Sequence, residues 1–210
     1  MIFAEAIHPN ILAYKAWCQR HAELGTHRIA GLTLEQFQAL FRPYTSDSSV
    51  IREDLLSFLP IVPERLVSLL QKVRLLDQRA TIDPLDLLWR LPEIEGGCAV
   101  QRPQKPYSLS RIQCLSLQLK EGESFPGAVR QLKDQLSDRG AQPLSTNELV
   151  DLVLVQPELL ECDRIVAAAG YSAKPLPELV RGIDGLVLQL TDNPDEGGRW
   201  MIPIARHILV

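Results

Sequence analysis

PIVPERLVSLLQKVRLLDQRATIDPLDLLWRL, residues 60–91, is the stretch whose reading decides the fold. Leu66, Leu69, Leu70, Val73 and Leu76 recur at three- and four-residue intervals, the spacing that stacks side chains along one face of a helix. Arg65, Gln71, Lys72, Arg74 and Gln78 fall largely on other faces, while Val67 and Leu75 broaden the apolar stripe. A helix apolar over so much of its circumference belongs between other elements, because in water it would expose a large oily patch. Asp83 is placed to cap a second helix: its carboxylate can accept from free backbone N–H groups, and Pro84 is preset for the first helical position. Leu85, Leu88, Trp89 and Leu91 then supply a second buried face.

On the N-terminal side, Asn10 to Leu24 predicts an amphipathic helix carrying Ile11, Leu12, Tyr14, Trp17 and Cys18, capped by Asn10 and ended by Gly25. Thr33 with Gln36 three residues on is a capping box for a helix through Leu34, Phe37, Leu40 and Phe41, closed by Pro43. The polar run Tyr44 to Ser49 predicts an exposed loop before a helix over Ile51 to Leu59.

On the C-terminal side, PEIEGGCAVQRPQKP has three prolines, two glycines and no helical period, which makes it the best boundary in the chain. In SLSRIQCLSLQLK, Leu115, Leu117 and Leu119 alternate with polar residues, while Leu109, Ile112 and Leu115 suit a helix; a strand is favoured at its end. Pro126 predicts a helix start with Gly140 as its stop. Ser145 or Thr146 caps a helix through Leu149, Leu152 and Val153, Pro157 opens a helical stretch reaching Ala169 and Gly170, and PLPELVRG adds a short helical turn. Leu186 to Leu190 and Trp200 to Ile204, joined by TDNPDEGGR, predict a hairpin, with the 115–119 strand as its partner and Trp200 anchored in the core.

The expected fold is therefore α+β and mainly α: a helical bundle followed by helices packed on a small antiparallel sheet with a C-terminal hairpin. Residues 1–91 form a helical domain or subdomain, 92–107 the connection, and 108–210 the helices plus hairpin, with both halves able to share one core.

Function is far less legible. Twenty-two Lys and Arg against 26 Asp and Glu give a net charge of -4, so the chain has no general attraction for nucleic acid or acidic membranes. The N-terminal MIFAEAIHPN has Glu5 and no basic residue before its apolar positions, and no run is apolar enough to span a bilayer. A cytoplasmic location is the expectation, with Cys18, Cys98, Cys114 and Cys162 as isolated reduced thiols. Cys18 and His21 share a helix face near Glu23 and His27 but give only part of a ligand set, and His8 and His207 would converge only if the termini met. The glycines at 96, 97, 182 and 185 form neither a phosphate loop nor a dinucleotide fingerprint, and Pro194 breaks the oxygen-ligand spacing that calcium would need around Asp192, Asp195 and Glu196. No metal, cofactor or catalytic set is expected, and the enzyme question leans to no.

Abundant apolar helix surface favours a non-catalytic protein-interaction role, as an adaptor, chaperone-like or assembly component whose partner is another protein or a second copy. The candidate faces are those of Phe37 and Phe41 and of Leu149 and Val153. The alternative is a regulatory nucleic-acid-binding protein. Residues 97–120 hold Arg102, Lys105, Arg111 and Lys120 with no acid, and the order of elements from Ser145 onward outlines a winged helix with Pro175 to Arg181 as its recognition element.

Overall fold

The computed structural model describes residues 9–42, 58–83, 87, 107–117, 124–137, 140–161, 164–169, 176–191 and 200–208. Helix α1 (Pro9–Glu23), the single turn α2 (Thr26–Ile29) and α3 (Leu34–Phe41) come first, followed by strand β1 (Phe58–Ile61), helix α4 (Leu69–Leu76) and strand β2 (Thr81–Asp83). Then come β3 (Tyr107–Leu117), α5 (Phe125–Ser137), β4 (Gln142–Pro143), α6 (Thr146–Val155) and a 3-10 turn at Pro157–Glu161. Strands β5 (Ile165–Val166), β6 (Leu176–Gly182), β7 (Gly185–Thr191) and β8 (Trp200–Ile208) complete the order.

Two helix starts fold as the sequence predicts, with Ser145 and not Thr146 as the second cap. Thr33 and Ser145 each accept from the third helical N–H while Gln36 and Glu148 reach back to the cap N–H, and Gly25 and Gly140 take the left-handed conformation (φ 69 and 62) at helix ends. Ser68 and Gln71 form a third capping box, which starts α4 at Leu69 and leaves Leu66 and Val67 in the preceding turn. Helix α1 already includes Asn10, so that residue is not its cap.

The expectation of a mainly helical chain on a small antiparallel sheet is overturned. The described strands form one mixed sheet in the order β1-β3-β8-β5-β6-β7-β2, with β4 pairing β8 off that path. Strand β5 runs parallel to β8 and β2 parallel to β7, while the other pairs are antiparallel. Strands from both halves of the chain enter this sheet, so the fold is mixed α/β.

Several local expectations change with it. Strands β7 and β8 are separated by β5 and β6, so the 186–204 hairpin does not exist; the hairpin is β6–β7, closed between Gly182 and Gly185. LPELVRG, residues 176–182, is extended, not helical, and pairs along β7, which removes the winged-helix outline along with its recognition element. The helix expected from Pro157 to Gly170 stops after one 3-10 turn, and β-branched Ile165 and Val166 pair as a strand. The C-terminal end of the expected 51–59 helix is strand β1, and Asp83 closes β2; of the following helix only Leu87, helical and buried, lies among the described residues.

Strand β3 resolves the double reading of its sequence. Ser110 faces Arg206 and Gln113 faces Ile204, so three steps on β3 match two on β8 and the extra residue reverses which side chains face which way. Leu109 and Ile112 therefore pack on one side while Leu115 and Leu117 pack on the other, a bulge whose spacing imitates a helical period.

Alternation along the strands divides the helices between two layers. Ile165 and Ala205 join clusters with α4, α6, α1 and α3, whereas their neighbours Val166 and Ile204 join Phe125, Val129 and Leu136 of α5 on the opposite face. Trp200 is 1% exposed with its ring centroid 5.2 Å from that of Phe125, so its anchoring role holds although its hairpin does not. Helix α6 is buried from Thr146 to Leu154, which makes it the central element of the helical layer. Among the described residues no helix is long and apolar enough to cross a membrane.

Candidate functional site

The most chemically loaded place among the described residues lies where β1 ends between α4 and α6. Asn147 and Asp151 are four apart on α6, so both side chains leave the helix on one side. Lys72 of α4 follows Leu69 by three residues and precedes buried Val73, which turns it into the same interior. Its ammonium donates to Asp151 Oδ2 at 2.8 Å, to Asn147 Oδ1 at 2.7 Å and to the Val62 carbonyl. The Val62 N–H donates to the same Asp151 Oδ2 at 2.8 Å, and Asn147 Nδ2 reaches the Val62 carbonyl at 3.4 Å. Both polar groups of a backbone unit just past β1 are thus satisfied by side chains where the ladder stops.

The ion pair is sealed: both side chains are 0% exposed. Burial pushes the Asp151 carboxyl up to about 6 against the opposing pull of the Lys72 ammonium and the Val62 N–H, and burial likewise lowers Lys72 against the pull of Asp151. Both directions favour the neutral pair. Among the described residues Asp151 Oδ1 has no hydrogen-bond partner, which leaves the carboxylate short of acceptor bonds and works the same way.

His21 lies in the adjoining aromatic cluster. Its Nδ1 is 3.0 Å from Thr26 Oγ1, its Nε2 has no hydrogen-bond partner among the described residues, and its ring centroid stands 4.3 Å from that of Trp17 and 5.9 Å from that of Phe37. Burial, then the Lys72 and Arg20 cations, push its pKa down to about 3, so it is neutral in the fold. A second buried charge, Glu178 of β6, is 0% exposed and held by Arg164 Nε at 3.2 Å through charge, without an aligned hydrogen bond.

The residues singled out from sequence fall elsewhere. Phe37, Phe41, Leu149 and Val153 are each 0% exposed, so they are core and none offers a face to a partner in this conformation. Leu40 on the outer side of α3 and Ile29 at the end of α2 are exposed instead, at 40% and 37%. Arg102, Lys105 and Lys120 lie outside the described residues; Arg111 sits on β3, which brings no second basic residue of that set beside it among the described strands. Cys18 and Cys114 are not joined in disulfides, while Cys98, Cys162 and His8 lie outside the described residues, as does the 192–196 acidic run, and His207 pairs with Leu109 along β8. Among the described residues no three His, Cys, Asp or Glu side chains are grouped to hold a metal.

Lys72, Asn147 and Asp151 were the residues that sequence reading passed over. The sequence pattern sets Lys72 largely off the apolar face, although its three-residue offset from Leu69 carries the signal of burial. An Asn and an Asp at a four-residue interval in TNELVDLVLV, whose other polar residues Thr146 and Glu148 sit in the first turn, carry the other half. No family model, curated protein or solved structure matches the chain.

Proposed function

We propose that this chain is a non-catalytic protein-interaction component that meets its partner with the β6–β7 hairpin tip. The observation that carries the reading is Ile183, which is 105% exposed at the centre of the turn between Gly182 and Gly185. Turn centres favour Asn, Asp and Gly, and a β-branched apolar side chain there adds nothing to the fold's own core. Covered by a partner, an isoleucine contributes about 1.5–3 kcal/mol, enough to serve as an anchor. The tip is flanked by exposed Arg181 and Asp184, giving an apolar point with a polar rim. Ile29 and Leu40 replace Phe37 and Phe41 as the apolar positions open to contact at the α2–α3 corner. The groups with acid–base chemistry in the Lys72 network are closed off from any substrate, which accords with a binding role.

The test is capture from cell extract by the parent chain and by Ile183→Asp, at low and high salt and after nuclease treatment, with self-association followed in parallel by sedimentation. Ile183→Asp should fold and melt like the parent, since the site is outside the core. A salt-resistant protein partner, or a second copy, held by the parent and lost by Ile183→Asp supports the reading. Equal capture by both chains refutes the hairpin as the contact, and recovery only of nucleic acid that salt displaces refutes the protein-interaction role altogether.

A further inference from the structure

The Lys72 network holds an amine, a carboxamide and a carboxyl group in one dry contact, and we propose that it forms a covalent amide between Lys72 Nζ and Asn147 Cγ, with Asp151 carrying the protons. The geometry supplies each requirement. Lys72 Nζ stands 2.7 Å from Asn147 Oδ1, which places it within about 4 Å of the carbon one C=O bond away. Two side chains fixed this way react as one molecule, an advantage that in well-oriented pairs replaces enormous reactant concentrations. Asp151 Oδ2 is 2.8 Å from the same nitrogen and its other oxygen is unpartnered, so it can take a proton and remain as a neutral acid. Lys72 and Asp151 are 0% exposed and Asn147 8%, so hydrolysis by bulk water does not compete. The directions in which burial moves Lys72 and Asp151 both favour the amine and the acid.

The step balances without any other reagent. A proton passes from the Lys72 ammonium to Asp151, leaving a neutral amine. With the Asn147 amide turned about its Cβ–Cγ bond, the nitrogen lone pair attacks Cγ, a C–N bond forms, and the C=O electron pair moves onto Oδ1, where the Asp151 acid donates. Asp151 then takes a proton from the new bond's nitrogen and delivers it to the original amide nitrogen. Asp151 takes back the hydroxyl proton as the carbonyl re-forms and the old C–N bond breaks; ammonia receives that proton from Asp151 and departs as ammonium, leaving Asp151 a carboxylate. The nitrogen of Lys72 keeps one hydrogen, directed at the Val62 carbonyl that it already serves. Of the two side-chain carbonyl groups in reach, the carboxamide is the electrophile in this step because Asp151 is occupied as the proton carrier.

The link ties α4 to α6 across a long loop and needs only the folded chain. The experiment is intact-mass measurement of the full chain under denaturing conditions, as purified and after prolonged incubation of folded protein at mildly acidic to neutral pH, with proteolytic mapping. A mass below that of the sequence by one ammonia, with the Lys72 peptide joined to the Asn147 peptide, is the expected result. Asn147→Ala and Asp151→Ala should both keep their full sequence masses; the measurement on the parent stands even where a variant fails to fold. The full sequence mass in the folded, incubated parent overturns the proposal. So does loss of one water with Lys72 joined to Asp151, and so does loss of ammonia without a linked pair, as a cyclised asparagine would give.

Discussion

Measured against parent chain in which Lys72 and Asn147 are not yet joined, Asp151→Ala isolates the energetic role of the buried network. It removes the carboxylate hydrogen-bonded to the Lys72 ammonium, leaving that charge 0% exposed with two neutral acceptors, the Val62 carbonyl and Asn147 Oδ1. Stranding one member of a buried ion pair costs about 3–5 kcal/mol. The Val62 N–H loses its acceptor too, a penalty of about 1–3 kcal/mol that overlaps the first because a deprotonated Lys72 or an entering water relieves both. A net loss of about 4 kcal/mol is therefore expected, a large part of the 5–15 kcal/mol that holds most domains folded. At about 2–4 °C per kcal/mol for a chain of this size, the melting temperature should fall by roughly 10 °C. The variant should also recover stability as pH rises, because a stranded lysine is relieved by losing its proton. The double change Lys72→Met with Asp151→Leu should regain most of the loss, since it removes both charges and fills their space with apolar atoms. Denaturant and thermal unfolding followed by circular dichroism read all three. A single variant melting within a degree of the parent, or a double variant as unstable as the single one, would refute the ion pair as drawn.

Two further outcomes follow from burial elsewhere. Trp200→Ala should cost about 3–5 kcal/mol, because the indole is 1% exposed against Phe125 and its loss leaves a cavity beneath α5; a parent-like urea midpoint would sink that packing. His21 is held neutral with its pKa lowered from 6.5 to about 3, so its contribution is fully present above pH 6.5 and is lost as pH falls toward 3. Asp151, raised from 3.8 to about 6, acts in the opposite sense across part of that range, favouring the fold at the acid end. His21→Phe should therefore flatten the acid loss of stability between pH 6.5 and 4, measured as the drop in unfolding free energy, and an unchanged slope in the variant would exclude His21 as its source.

The parts of the fold that were legible in the sequence are those that a few neighbouring atoms decide. Thr33 with Gln36 and Ser145 with Glu148 close their capping boxes within four residues, and the glycines that stop α1 and α5 need only their own backbone freedom. What was not legible depends on partners far along the chain. Ile165 and Val166 become a strand because β6 and β8 lie on either side of them, and no local pattern in DRIVAAAG distinguishes that from a helical continuation. LPELVRG is extended because it returns against β7 across the Gly182 to Gly185 turn. The same applies to the apolar faces at Phe37 and Leu149. A helix apolar on one side announces that it must be covered but not by what, and here the cover is supplied by this chain's own strands and helices.

That distinction bears on what the central helix is built to do. A helix buried from Thr146 to Leu154 could sit in many rotational settings if it were uniformly apolar, since dispersion and area burial are nearly indifferent to which leucine faces which neighbour. Asn147 and Asp151 remove the indifference. Rotating α6 by one residue, about 100°, would point both into hydrocarbon and strand Lys72. It would also uncap Val62, where the chain leaves β1, so one error would break contacts on three elements at once. The gain in raw stability from such a pair is small against its desolvation, but the penalty for every wrong setting is several kcal/mol. The network therefore acts as the pin that selects one arrangement of α4, α6 and the end of β1, and it is this enforced proximity that brings the amine of Lys72 against the carboxamide of Asn147.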